Sequence, residues 1–148
     1  MLRLYLNKNK QVDKTAILKR ANEINKNTLM ETLGIEFTDF GDDFVEATMP
    51  VNSRVHQPAG LLHGGATAAL AESLGSCGSF IMMGDEAAGV VGIEINANHI
   101  RSIKEGTVRA RGTLVHKGRK THVWDIRVTD ENGKLISVCR LTNMILPK

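Results

Sequence analysis

Apolar positions along the chain change period several times, and each change marks an element. Ala16, Ile17, Leu18, Ala21 and Ile24 recur at helical spacing from about Asp13 onward. Thr28 followed by Glu31 has the form of a capping box and predicts a short helix running to Leu33, ended by Gly34. Beyond it the period shortens. Ile35, Phe37 and Asp39–Phe40 read as strand, and Gly41-Asp42-Asp43 as a turn. Phe44 to Met49 reads as a second alternating strand that Pro50 stops. Val51 to Leu62, with Pro58 and Gly60 inside it, reads as a loop.

Gly64 to Met83 behaves differently. It consists almost wholly of Gly, Ala, Ser, Leu, Ile, Phe and Met and is too long for a strand, which predicts a helix. A helix apolar on nearly every side is a buried one, and this one carries a single charge, Glu72. After Gly84-Asp85-Glu86 come four strand candidates: Gly89 to Ile100, Thr107 to His116, Thr121 to Thr129 and Leu135 to Leu146. The breaks at Lys104-Glu105-Gly106, Lys117-Gly118-Arg119 and Asp130-Glu131-Asn132-Gly133 are short and turn-like, so neighbouring strands are expected to be antiparallel. The prediction is an α+β protein, with a curved antiparallel sheet wrapped around a central buried helix.

Composition narrows the function classes. The 148 residues suit one core, and 42% apolar with 24% charged residues excludes global disorder. A net charge of +3 suits an anionic small ligand but is too weak to argue for nucleic acid. Cys77 and Cys139, the two cysteines, are too few for a disulfide framework and read as small core hydrophobes. The N-terminus lacks the form of a signal peptide, and no segment approaches the roughly 20 apolar residues of a membrane span, so no membrane partner and a cytoplasmic location are expected.

Glu72 is the main chemical clue. A carboxylate on a buried helix is costly unless it is paired or solvated. Its neighbours at helical spacing, Ala68, Ala69, Gly75 and Ser76, are small and leave room for a ligand or a second helix. The plain alternative is a Glu72 on an exposed helix edge, or one paired to a distant Arg. His63-Gly64-Gly65-Ala66 is the second clue: free N–H groups at the positive end of a helix can hold developing negative charge on a carbonyl oxygen. The alternative is a simple turn into the helix. Gln57 and His63 flank the same loop and are candidate orienting groups. His56 and His63 have no zinc spacing, no Cys/His cluster supports a metal, and Ser73 and Ser76 lack a local partner base. His99, Arg101, Lys104, His116, Arg119 and Lys120 fall at strand ends and turns, where they are either solvated or positioned to meet phosphates.

Gly64 and Glu72 are eight residues apart. At helical rise that is about 12 Å, too far for one carbonyl to touch both in one subunit. A catalytic role for both therefore requires two antiparallel copies of the helix, hence at least a dimer.

From His63-Gly64-Gly65-Ala66 through Glu72-Ser73-Leu74-Gly75-Ser76 the chain resembles the hot-dog acyl-CoA thioesterases of the 4-hydroxybenzoyl-CoA thioesterase type. Its closest likeness is to the bacterial 1,4-dihydroxy-2-naphthoyl-CoA thioesterases of menaquinone synthesis. The resemblance runs from about Asn27 to Leu146 and includes Leu33-Gly34-Ile35, Glu46-Ala47-Thr48-Met49-Pro50, His56-Gln57-Pro58 and Glu94-Ile95-Asn96-Ala97. It implies a hot-dog domain over residues 28–148, preceded by a basic helical extension, 1–27. It also implies an acyl-CoA substrate, no cofactor and a homo-oligomer, a dimer of dimers. Glu72 would attack the thioester carbonyl or activate water. Gly64 N–H would polarise that carbonyl from the facing subunit, Gln57 and His63 would assist, and Ser76 would position the water. The acyl group would lie near Ser73, Cys77 and Phe80, with His99, Arg101, His116 and Arg119 as candidates for the coenzyme A end. Rival readings are a non-catalytic acyl-CoA-binding protein, a hot-dog dehydratase and a structural protein in which Glu72 is merely paired.

Overall fold

The computed structural model describes residues 13–84 and 87–148. Residues 1–12 of the expected extension, and Asp85-Glu86 of the break after the long helix, lie outside the described residues.

The first described element is helix α1 (Lys14–Glu23), whose N-terminus is capped by Asp13 accepting from the Ala16 N–H at 3.0 Å. Ile17 and Ala21 of α1 are buried in the main core. Helix α2 (Leu29–Leu33) follows, and Gly34 closes it at φ 70°, a left-handed conformation that glycine adopts without strain. The expected capping box does not form. Glu31 does reach back, but to the Asn27 N–H, and the Thr28 hydroxyl donates to Asn25 O.

Six strands form one antiparallel sheet: β1 (Glu36–Phe40), β2 (Phe44–Val51), β3 (Ala87–His99), β4 (Gly106–Lys117), β5 (Thr121–Thr129) and β6 (Leu135–Pro147). Their spatial order is β1-β2-β4-β5-β6-β3. Two expectations are corrected here. Pro50 does not stop β2; it pairs with Thr107 of β4. The pairing with β1 ends at Thr48, so Pro50 sits where β2 has a neighbour on one side only, a position that tolerates a missing N–H. The break at Lys104-Glu105-Gly106 is no hairpin either. β3 pairs with β6 at the far edge, and the chain crosses the sheet to enter β4 beside β2.

Helix α3 (Gly64–Met83) lies against one face of this sheet, as expected of a hot-dog fold. Its Leu70, Ala71 and Leu74 are fully buried against the alternating inward positions Val45, Ala47 and Met49 of β2, Val108 and Ala110 of β4, Trp124, Ile126 and Val128 of β5, and Cys139 and Leu141 of β6. Each fully buried Leu contributes roughly 1.5–3 kcal/mol. Gly75 and Gly78 let Trp124 and Leu141 approach the helix backbone: an added Cβ would meet Leu141 at 2.6 Å and Trp124 at 2.8 Å respectively. The two sheet edges are treated differently. At β1, the Asn22 side chain from α1 donates to Phe37 O and accepts from Phe37 N–H, at 2.9 and 2.8 Å, supplying a strand-like partner. At β3 no described residue pairs with the outer edge, and Val91 and Ile93 are exposed among the described residues.

Candidate active site

On the face of α3 turned from the sheet most side chains are half-buried. Glu72 stands there exposed, between half-buried Ala69, Ser73 and Ser76. It has no ion-pair partner among the described residues. Its carboxylate leans on β3, where Gly92 leaves room for it, since an added Cβ would lie 2.7 Å from Glu72 Oε1. Beside this contact β3 carries a bulge between Gly92 and Glu94, so Ile93 is an extra residue in the ladder.

Glu72 lines a cleft of about 440 Å³ with Ser73, Ser76, Cys77 and Phe80 of α3. Its opposite wall includes Ile24, Leu29, Met30 and Phe37 from α1, α2, β1 and their connections. The cleft is thus a mainly apolar slot with a carboxylate on one side. Desolvation pushes the Cys77 thiol up to about 12, so it is a neutral wall residue at physiological pH.

Gly64 opens α3 in a second cleft of about 310 Å³, shared with Gln57, His99 and Arg101. His63 is the N-cap residue: its Nδ1 accepts the Gly65 N–H at 2.8 Å, which places the proton of the neutral ring on Nε2. The next two amides, of Ala66 and Thr67, bond to His63 O. The Gly64 N–H is left without a partner among the described residues. Gln57 Oε1 accepts the Ala59 N–H at 2.6 Å, so the amide's NH₂ end is the one available to a ligand. Gly64 N–H and Gln57 NH₂ are two donors of the kind that stabilise a carbonyl oxygen as it gains charge. The His99 ring sits over Gly64, close enough that an added Cβ would meet its Nε2 at 2.6 Å.

The predicted residues therefore fall into separate groups within one chain. Glu72, Ser73, Ser76 and Cys77 share the first cleft. Gln57, Gly64, His99 and Arg101 share the second. His63 lines a third, smaller depression with His56 and Ala69. His116 lies near the end of β4 and Arg119 in the following turn; both are exposed, and neither lines these clefts. Among the described residues no three His, Cys, Asp or Glu side chains converge as a metal site, and no helix is long and apolar enough to cross a membrane.

A buried polar cluster behind the first cleft escaped the sequence reading. Ser79, His122, Asn143 and Trp124 lie fully buried between α3, β5 and β6. The signal was present: His122 and Asn143 occupy inward phases of alternating strands, where the flanking inward residues are apolar.

A family profile of the thioesterase superfamily matches residues 59–137, which include both Gly64 and Glu72. "Putative esterase PA1618" of Pseudomonas aeruginosa is 47% identical over 133 residues, covering 90% of this chain and 92% of the relative. The solved structure of a mutant of the Pseudomonas aeruginosa thioesterase PA1618 superposes with a TM-score of 0.86 at 42% identity, covering 98% of this chain and 99% of that one. The Haemophilus influenzae thioesterase HI1161 superposes with a TM-score of 0.84 at 43% identity, covering 88% and 90%. Fold, sequence and the placement of Glu72 and Gly64 within the matched segment agree: the chain belongs to the thioesterase superfamily.

Proposed function

We propose that this thioester hydrolase acts on an acyl-coenzyme A with an aromatic acyl group, such as 1,4-dihydroxy-2-naphthoyl-CoA, which would put it in menaquinone synthesis. The observation that carries the reading is Glu72: a carboxylate without an ion-pair partner among the described residues, at the side of an apolar cleft of about 440 Å³ walled by Phe37, Phe80, Leu29 and Met30. Two aromatic rings and flexible Leu and Met side chains suit a flat acyl group.

In this reading Glu72 takes a proton from water as the water oxygen bonds to the thioester carbon. The C–S bond then breaks, and the departing thiolate takes up the proton as coenzyme A thiol. Ser76, one helical turn from Glu72, orients the water. Gly64 N–H and Gln57 hold the carbonyl oxygen, with His63 assisting. His99 and Arg101, beside Gly64, meet the coenzyme A portion, and His116 and Arg119 are further candidates for its phosphates.

Within one chain the acceptor group at Glu72 and the donors at Gly64 lie in different clefts. The reading therefore includes a homodimer, further paired into a dimer of dimers. The outer edge of β3, a 13-residue strand with no strand partner there among the described residues, supports it. Antiparallel pairing of two such edges would continue the sheet and set the two α3 helices side by side. The test is thiol release from a panel of 1,4-dihydroxy-2-naphthoyl-, benzoyl-, hydroxybenzoyl- and aliphatic acyl-CoAs, comparing native protein with Glu72→Gln. The expected result is a preference for aromatic thioesters and a fall in kcat of about 100-fold or more in the variant, with the fold intact. No turnover, or a variant as active as the parent, would remove the proposal.

A further inference from the structure

The buried cluster behind the Glu72 cleft has hydrogen-bond directions that can be assigned one by one. Asn143 Nδ2 lies 3.1 Å from the Gly75 carbonyl, which can only accept, so the amide orientation is set. Its second hydrogen goes to Ser79 Oγ at 3.0 Å. Ser79 Oγ also accepts from the Trp124 indole N–H at 2.8 Å. With two hydrogens accepted, Ser79 must send its own to His122 Nδ1, 3.0 Å away. His122 is thereby neutral with its proton on Nε2, and Nε2 is buried without a partner among the described residues. Burial, reinforced by nearby Lys117 and His116, also holds this imidazole below its ordinary value.

The same chain of assignments runs outward to the cleft. Since Nδ2 of Asn143 faces Gly75 and Ser79, its Oδ1 faces Ser76, whose Oγ is 3.3 Å away. That oxygen can only accept, so the Ser76 hydroxyl points its hydrogen inward and leaves its lone pairs to the cleft. We infer that Asn143, held by Ser79, Trp124 and His122, is a positioning residue that fixes Ser76 as a hydrogen-bond acceptor toward the substrate cleft. Resting on the thioesterase reading above, this gives the attacking water two acceptors one helical turn apart, Glu72 and Ser76. Both of its hydrogens are then engaged, and an oxygen lone pair is free to meet the carbonyl. A Ser76 free to rotate would donate to that water, or to Glu72, in part of the population and misdirect it.

Two measurements decide the matter. The first is the ¹⁵N spectrum of His122 in the native protein, which needs no substitution. A proton on Nε2 with a bare Nδ1 is expected. A proton on Nδ1 would make Ser79 accept from both His122 and Trp124 and donate to Asn143, turning the amide so that its NH₂ faces Ser76, and would overturn the inference. The second is a double-mutant cycle on the acyl-CoA turned over best, with Ser76→Ala, the near-isosteric Asn143→Leu and the pair together. Asn143→Leu should lower kcat roughly tenfold with KM little changed, and the pair should be no slower than Ser76→Ala alone. If Asn143→Leu does not fold, Ser79→Ala, which loosens the Asn143 amide, takes its place in the cycle. Independent, multiplying losses would overturn the inference while leaving the thioesterase reading intact. A native protein inactive on every thioester would remove that reading and this inference with it.

Discussion

The carboxylate of Glu72 rests against the α-carbon of Gly92, so close that a methyl group there would stand 2.7 Å from Oε1. Glu72 is on α3 and Gly92 is on β3, so the position of the candidate catalytic group is set between two elements. Gly92→Ala should push the carboxylate aside and lower kcat by on the order of 100-fold. Because the obstruction is the end of a flexible side chain, and Ala is the better strand residue, unfolding free energy should stay level or rise by up to about 1 kcal/mol. Kinetics and urea unfolding on the same variant check both signs.

Gly64 separates a site within one subunit from a site shared between two. It is the first residue of α3, and His63 before it has φ −70° and ψ 131°, a conformation that accepts a following proline. Gly64→Pro should keep the helix and abolish turnover by removing the N–H, while Gly64→Ala isolates the effect of displacing the His99 ring. Mixing unfolded Gly64→Pro and Glu72→Gln chains in equal amounts and refolding them should restore about a quarter of native activity, because half the dimers are mixed and each has one intact site. A site confined to one chain would restore none.

Gly78→Ala tests the close packing of α3 on the sheet. The added methyl would meet both Trp124 and Val45 at 2.8 Å. The gain in helix propensity, about 1 kcal/mol, is outweighed by overpacking of roughly 1–3 kcal/mol. A net loss of up to about 2 kcal/mol in denaturant unfolding is expected.

His122 makes stability depend on pH. Its folded-state pKa lies below the ordinary 6.5, so between the two values the unfolded chain binds more protons than the folded one. Stability is therefore complete above about pH 6.5 and falls as pH drops below it, by at most about 1.4 kcal/mol per unit until the folded-state pKa is reached. Urea unfolding at about pH 7.5 and about pH 5.5 should show a larger drop for the native protein than for His122→Gln, which cannot take up a proton in that range.

Much of this protein was legible along the chain. The limits of α3 follow from a run of small and apolar residues too long for a strand, and those of β5 from strict alternation of Thr121 to Thr129, because both signals are local. Glu72 and Gly64 stood out for the same reason: each departs from its immediate surroundings, and their spacing along one helix already argued for two copies. Three features were decided only by the tertiary structure. The crossing that puts β3 at the sheet edge beside β6, instead of next to β4, depends on pairing between residues far apart in sequence. Pro50 continues a strand because the pairing of β2 with β1 ends at Thr48, which β2 alone does not disclose. The hydrogen carried by Ser76 is directed by Asn143, 67 positions away, since hydrogen-bond direction in a buried cluster is settled only when every donor and acceptor around it has found its place.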